Sequence, residues 1–259
     1  MQLLTWGEEM CLIQMDLENA FNLQARRTIF DALVRIAPGL VRFFRALYGE
    51  ASGLYLGSGE WVGNSETGVR QGDPMAMLYF SVGIQATLVA IQEAVQAIKV
   101  ANGSTLPAGV YGYADDTSIF IGEKGAHEAI KAAMVIVQGT RMRVKVTKSK
   151  VLVRPGRLEY VRPPRVEEGS GEEQEELLFE STEEGIVVLG NPVGTDGYRR
   201  AALSDMLATM GHPLPALTRV DSQATYFPLQ LCFDARPYYL ARVLEPRLYW
   251  AAMGTSMRR

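Results

Sequence analysis

"YGYADDTSIF" runs from Tyr111 to Phe120 and sets two adjacent aspartates, Asp115 and Asp116, between apolar flanks. Like charges side by side repel unless a proton or a cation intervenes. The doublet therefore reads either as a hairpin turn, where Asp is at home, or as part of a metal site. A third acid, Asp16, lies near the end of the mostly apolar run "CLIQMDL" (Cys11–Leu17). If the strands carrying these acids are sheet neighbours, three carboxylates converge at one sheet end. Hard oxygen ligands there suit Mg²⁺, which takes one or two carboxylates and completes its shell with water and phosphate. Two such ions about 4 Å apart can stabilise both the attacking and the leaving oxygen of a phosphoryl displacement. The plainer arrangement is three unrelated surface acids, each in its own turn, and the acids alone leave both open.

The elements that must position them follow from periodicity and breakers. Cys11–Leu17 reads as a strand, and Asn22 as the cap of a helix from Leu23 with Ile29, Leu33 and Ile36 on one face. Pro38 opens a second helix carrying Leu40, Phe44 and Leu47 and closing near Gly49. Short β segments are expected around Leu54–Leu56 and Trp61–Val62. "GVRQGDP" is a loop, and Pro74 opens the longest helix, to about Val100. Its buried face is expected to hold Met77, Ile84, Leu88, Ile91, Val95 and Ile98, with Ser81 in the skipped turn. Strands Ala108–Tyr113 and Thr117–Ile121 pair through the Ala-Asp-Asp turn, a helix spans about Ala126–Gly139, and basic β segments follow at Val144–Val146 and Val151–Val153. "GIVVLGNPVG" is a further strand with a Gly/Pro turn, and beyond Tyr198 the pattern is helical. This order predicts an α+β fold, an antiparallel sheet with helices packed on one face, followed by a small helical segment.

Composition agrees with a globular chain: 259 residues, 47% hydrophobic and 21% charged. No uninterrupted apolar run nears the ~20 residues of a membrane helix, so no membrane partner is expected. The start, "MQLLTWGEEMC", lacks the basic flank of a signal peptide; an intracellular protein is expected, with the nucleus open. Two cysteines, Cys11 and Cys232, and two distant histidines, His127 and His212, make a disulfide framework or a Cys/His zinc site a poor expectation. The net charge of -3 conceals an asymmetry: nine glutamates lie between Val166 and Glu184, so the rest of the chain carries +6. Arg141 to Arg165 holds nine Lys/Arg against one acid, Glu159. That stripe could neutralise phosphates, or be a solvated surface balanced by the acidic run.

The motifs bear on the choice. "MDLENAFN" resembles motif A of reverse transcriptases, "GVRQGDP" their motif B, and "YADD" the Tyr-x-Asp-Asp of motif C. They stand in family order. "VTKSKVLV" is similar to motif D and "VVLGNPVG" to motif E, and the nearest likeness is to the non-LTR retrotransposon type. The resemblance covers about Cys11 to Gly194 well and the remainder loosely. It implies a reverse-transcriptase palm over residues 1–197, with fingers largely missing and an acidic surface loop at 166–184, and a helical thumb-like segment over 198–259. The implied activity is RNA-directed DNA polymerisation, in which two Mg²⁺ (or Mn²⁺) ions assist transfer from a dNTP to a primer 3′-hydroxyl. RNA template and DNA primer are the implied partners.

By the same resemblance Asp16 and Asp115 hold the metals and Asp116 completes the acidic cluster. The backbone of Leu17, Glu18, Asn19 and Ala20 approaches the triphosphate. Phe21 stacks under the incoming sugar and excludes a 2′-hydroxyl, which also argues against an RNA-directed RNA polymerase. Gln71 and Gly72 line the nucleotide, while Tyr113 and small Ala114 lie beside the primer end. Lys150 donates the proton to pyrophosphate, with Lys148 the second choice two positions away in a strand of period two. Gly190 and Gly194 shape a turn that grips the primer. Plain alternatives remain: Phe21 as a core aromatic, Gly72-Asp73-Pro74 as a turn and helix start, either lysine as a solvated side chain. Only fifteen residues precede Asp16, none of them Lys or Arg. The expectation is a piece of a retroelement polyprotein whose fingers and endonuclease regions lie elsewhere. The alternative is a catalytically incomplete remnant that binds nucleic acid or protein.

Overall fold

The computed structural model describes residues 9–161 and 179–211, together with Tyr239, Leu240, Arg242, Leu244, Pro246 and Arg247. The acidic stretch as far as residue 178, His212, Cys232 and most of the expected thumb-like segment lie outside the described residues. Contacts divide the chain into one compact unit that ends at Ser181 and a second that begins at Thr182.

The first unit is built on strand β1 (Met10–Glu18). Its odd-numbered residues Cys11, Ile13, Met15 and Leu17 are buried in the main core, and Leu12 is buried on the other face. Apolar residues on both faces suit the middle of a sheet. A four-residue turn of helix, α1 (Ala20–Leu23), leads into α2 (Arg26–Ile36), and α3 (Val41–Tyr48) follows a 3₁₀ turn opened by Pro38. Asn22 does not cap the helix as the sequence suggests. It lies inside α1, because the chain turns earlier, at Asn19, whose φ of 45° and ψ of 36° are left-handed. Asn is among the few residues that accept that geometry readily. Strands β2 (Ser52–Tyr55) and β3 (Trp61–Ser65) form a separate hairpin.

The longest helix, α4 (Ala76–Ala101), buries Ala76, Tyr79, Phe80, Gly83, Ile84, Thr87, Ile91 and Val95. Met77 and Ser81, expected on that face, are exposed, since the buried stripe runs one position away from each. By length and composition α4 could cross a membrane, contrary to the sequence expectation that no segment would. In this fold its apolar stripe packs on α2 and on the elements that follow.

Strands β4 (Gly109–Tyr113) and β5 (Asp116–Gly122) form the next hairpin, and α5 (Ala126–Gln138) returns across the sheet. Two short strands, β6 (Arg143–Val144) and β7 (Lys150–Leu152), both pair with β1, and β8 (Glu180–Thr182) lies at the edge. The sheet order is β4-β5-β1-β7-β8, and the pairs with assigned register are all antiparallel. Helix α4 packs on β4 and β5, and α5 on β1, β5 and β6, which is the expected α+β arrangement. Edge strand β4 is stitched to α4: the Val110 N–H donates to Gln92 Oε1 (2.6 Å), and Gln96 Nε2 donates to the Ala108 carbonyl (2.8 Å).

In the second unit, β9 (Gly185–Val188) and β10 (Asn191–Gly194) form a hairpin followed by α6 (Asp196–Gly211). Leu189 (φ 50°) and Gly190 (φ 77°) make its two-residue turn, both at the positive φ of the type I′ geometry that right-twisted strands favour. Gly194 is tightly placed, since a Cβ there would lie 2.2 Å from the Glu184 carbonyl oxygen.

Candidate active site

The register of β1 on β5 sets Asp16 directly opposite Asp116. Paired residues of antiparallel strands share a face, so successive rows across the sheet can be read off. The end row is Tyr113–Asp116–Asp16, and the next is Tyr111–Ser118–Gln14–Lys150. This face lies opposite the one that buries Cys11, Ile13 and Met15. In these two rows it is polar and aromatic, with Tyr111 and Tyr113 each 65% exposed.

Because Tyr113 pairs with Asp116, the hairpin turn consists of Ala114 and Asp115 alone. Ala114 takes a φ of 55°, a left-handed geometry that costs an L-residue roughly 1–2 kcal/mol. The bend places Asp115 at the sheet's tip and starts β5 at Asp116. Asp116's carboxyl is pushed above its ordinary value of 3.8, first by burial and then by the charges of Asp115 and Asp16.

The far side of Asp16 is clasped by the turn before β7. The Asp16 N–H donates to Ser149 Oγ (3.1 Å), and the Lys145 N–H donates to the Asp16 carbonyl (2.8 Å). Ser149 Oγ also donates to the Lys145 carbonyl (3.0 Å), and Ser149 is fully buried. No sequence signal marked Ser149 beyond its place in "VTKSK". The same turn separates the two lysines. Lys148 ends a 3₁₀ turn (Val146–Lys148), and Lys150 begins β7 opposite Gln14, so they do not share the strand of period two that the sequence suggested. Lys150 lies one row from Asp16 and pairs with Glu180 at 3.0 Å.

After Asp16, Leu17 and Ala20 turn their side chains into the core, while Glu18 and Asn19 are exposed. Phe21 stacks on Phe80, with ring centroids 4.4 Å apart and planes inclined by 14°. Its carbonyl accepts the Val69 N–H (2.7 Å), and the Gly68 N–H donates to the Gln24 carbonyl (2.9 Å). "GVRQGDP" is thereby tied to the turn after β1. A Cβ on Gly68 would lie 2.2 Å from the Phe21 oxygen, whereas one on Gly72, at φ +92°, would meet nothing within 4 Å among the described residues. Gln71 and Gly72 are both exposed.

The donor chemistry of Asp16, Asp115 and Asp116 fits a hard divalent cation, and the raised carboxyl of Asp116 is what a cation beside it would reverse. The three are not gathered into a finished cage: among the described residues no group of three or more His, Cys, Asp or Glu side chains is set to hold a metal. Arg141, Arg143, Lys148 and Arg154 of the basic stripe are exposed, but Arg157 bonds to buried Glu123 (2.8 Å) and is partly structural. A cavity of about 620 Å³, lined by Glu9, Lys99, Ser104 and Glu123 among others, lies at the opposite end of the sheet, near Gly122.

No protein-family model matches the chain, and no curated protein matches it. Solved structures similar to part of it include telomerases from Candida tropicalis. The apo enzyme is 8% identical with a TM-score of 0.41, over 54% of this chain and 28% of that one. Telomerase in complex with a TWJ fragment of telomeric RNA is 11% identical with a TM-score of 0.41, over 54% and 25%. The apo form truncated from its C-terminal domain is 11% identical with a TM-score of 0.39, over 54% and 30%. This chain thus spans 25–30% of the length of those telomerase chains.

Proposed function

We propose that the unit ending at Ser181 is the palm of an RNA-directed DNA polymerase of the non-LTR retrotransposon type. The observation that supports this best is the pairing of Asp16 with Asp116, which puts the acids of "MDLENAFN" and "YADD" side by side from distant parts of the chain. Asp16, Asp115 and Asp116 would hold two Mg²⁺ or Mn²⁺ ions, whose chemistry when bound is to acidify a primer 3′-hydroxyl and offset the charge of the displaced pyrophosphate. Phe21, its ring braced by Phe80, offers the flat surface that sits beneath a deoxyribose. Exposed Gln71 and open Gly72 face the nucleotide, and the backbone of Glu18 and Asn19 faces its phosphates. Tyr113 and Ala114 flank the primer terminus. Lys150 supplies a proton to the leaving group after exchanging Glu180 for it, an easy exchange because exposed ion pairs contribute only about 0–1 kcal/mol. Template sequence is read by base pairing, so the exposed basic residues need contact only the phosphate backbone.

The test is primer extension on an RNA template with dNTPs and Mg²⁺ or Mn²⁺, by the chain joined to a fingers region. We expect incorporation that Asp16→Ala and Asp115→Ala abolish without unfolding the chain. Incorporation that survives Asp115→Ala refutes the assignment of the acids, and a wild-type chain that extends no primer refutes the polymerase reading.

A further inference from the structure

Tyr48, at the end of α3, is 2% exposed and lies 22 positions before Arg70, yet its hydroxyl reaches both ends of the loop tip Gln71–Gly72. It accepts the Arg70 N–H (3.2 Å) and donates in a short hydrogen bond to Asp73 Oδ2. The other carboxylate oxygen of Asp73 accepts the Met75 N–H (2.8 Å), and the Asp73 carbonyl accepts the Ala76 N–H (3.0 Å), which starts α4. Two guanidiniums flank the phenol ring, Arg26 at 5.3 Å and Arg70 at 5.1 Å from its centroid. Each is engaged locally: Arg70 with the Leu47 carbonyl (2.8 Å) and Ser52 Oγ (2.6 Å), Arg26 with the Gly68 carbonyl (3.0 Å) and Ser65 Oγ (3.0 Å). The only basic side chain in "GVRQGDP" is thus engaged at the surface by the Leu47 carbonyl, Ser52 Oγ and the Tyr48 ring.

We propose that Tyr48 is a positioning residue for the incoming nucleotide, one phenol hydroxyl fixing both shoulders of the loop so that the bare tip Gln71–Gly72 is presented in a single conformation. This role rests on the polymerase reading above. Burial first, and the bond to Asp73 next, push the Tyr48 hydroxyl above its ordinary pKa of 10.0, so it remains a donor at neutral pH. The ring is further held by Phe44, whose centroid lies 5.3 Å away, and by Tyr79 at 5.9 Å.

Tyr48→Phe keeps those ring contacts and removes only the hydroxyl, so the variant is expected to fold. Two readouts are paired: amide hydrogen exchange across residues 70–76, and steady-state primer extension with varied dNTP. We expect exchange at Arg70 to quicken roughly tenfold, the loss of about one hydrogen bond. KM for dNTP should rise by a similar factor while kcat stays within about twofold. Unchanged exchange at Arg70, or an unchanged KM in an active protein, overturns the role of Tyr48 alone. A fall in kcat together with the thermal midpoint overturns it in favour of a merely structural part, which Asp73→Asn would then reproduce. If the wild type extends no primer, the polymerase reading fails first and this role falls with it.

Discussion

Gly68→Ala is the sharpest mechanical perturbation of the site. At φ +63° the added methyl is strained by roughly 1–2 kcal/mol before it touches anything. It would also lie 2.2 Å from the Phe21 carbonyl oxygen and 2.5 Å from the Asn22 backbone, where a comfortable contact needs about 3.5 Å. The obstacles are backbone, so relief requires the loop and the turn after β1 to separate by about 1 Å, at an overpacking cost of roughly 1–3 kcal/mol. That separation stretches the Gly68–Gln24 and Val69–Phe21 hydrogen bonds, each contributing about 0.5–1.5 kcal/mol. The total is about 3–8 kcal/mol, or on the order of 10–20 °C in thermal midpoint for a chain of this size. Gly72→Ala is the control. It shares the positive φ, but its methyl meets open space, so only the backbone strain of about 1–2 kcal/mol is expected. Urea unfolding of the two variants against wild type measures both. If their destabilisations agree within about 0.5 kcal/mol, the crowding argument is refuted, and with it the claim that this glycine locks the two segments together.

Gln24 is 2% exposed, and neither atom of its side-chain amide has a hydrogen-bond partner among the described residues; Gln24→Met should raise stability by about 1–3 kcal/mol, and a loss on urea unfolding would contradict this. Asp116 holds its proton to higher pH in the folded chain than in the unfolded one, so stability is undiminished below about pH 3.8 and is lost as pH rises through the elevated folded value. Asp116→Asn should therefore exceed wild type in stability at pH 7 and match it below that window; equal unfolding midpoints at both pH values would rule this out. Mg²⁺ at ten times its dissociation constant should add about 1.4 kcal/mol to the wild type and much less to Asp116→Asn, as read by thermal unfolding. Lys150→Gln should change stability by less than about 1 kcal/mol, because its pair with Glu180 is largely exposed. It should still slow primer extension by about a hundredfold, and an unchanged kcat would reassign the lysine to solvation.

The strands that carry the acids were legible because their patterns are local. β1 is a long apolar run, and the β4–β5 hairpin announces itself by two apolar segments around a polar turn. The register that sets Asp16 against Asp116 was visible only as a condition, since nothing short-range fixes which residues pair. Asn22 misled because a cap preference is weak beside a left-handed turn three residues earlier. Met77 and Ser81 misled because a helix as apolar as α4 fits more than one stripe, and packing partners choose among them. Lys148 and Lys150 were placed on one strand by alternation, which the turn at Val146–Lys148 breaks. Nothing in the sequence singled out Tyr48; its hydroxyl acquires a role only when Arg70 and Asp73 fold back onto it.

The stitching of β4 to α4 makes one rod the ruler of the site. The helix follows directly on the Asp73 turn beside Gln71 and Gly72, and its later turns grip the strand that ends at Tyr113. At 1.5 Å and 100° per residue, a single insertion between Ala76 and Gln92 would swing the hairpin's anchor a quarter turn around the axis while leaving the loop in place. The spacing between the two halves of the site is thus written in helical turns, and the span from Ala76 to Gln92 should admit substitutions far more readily than any change of length.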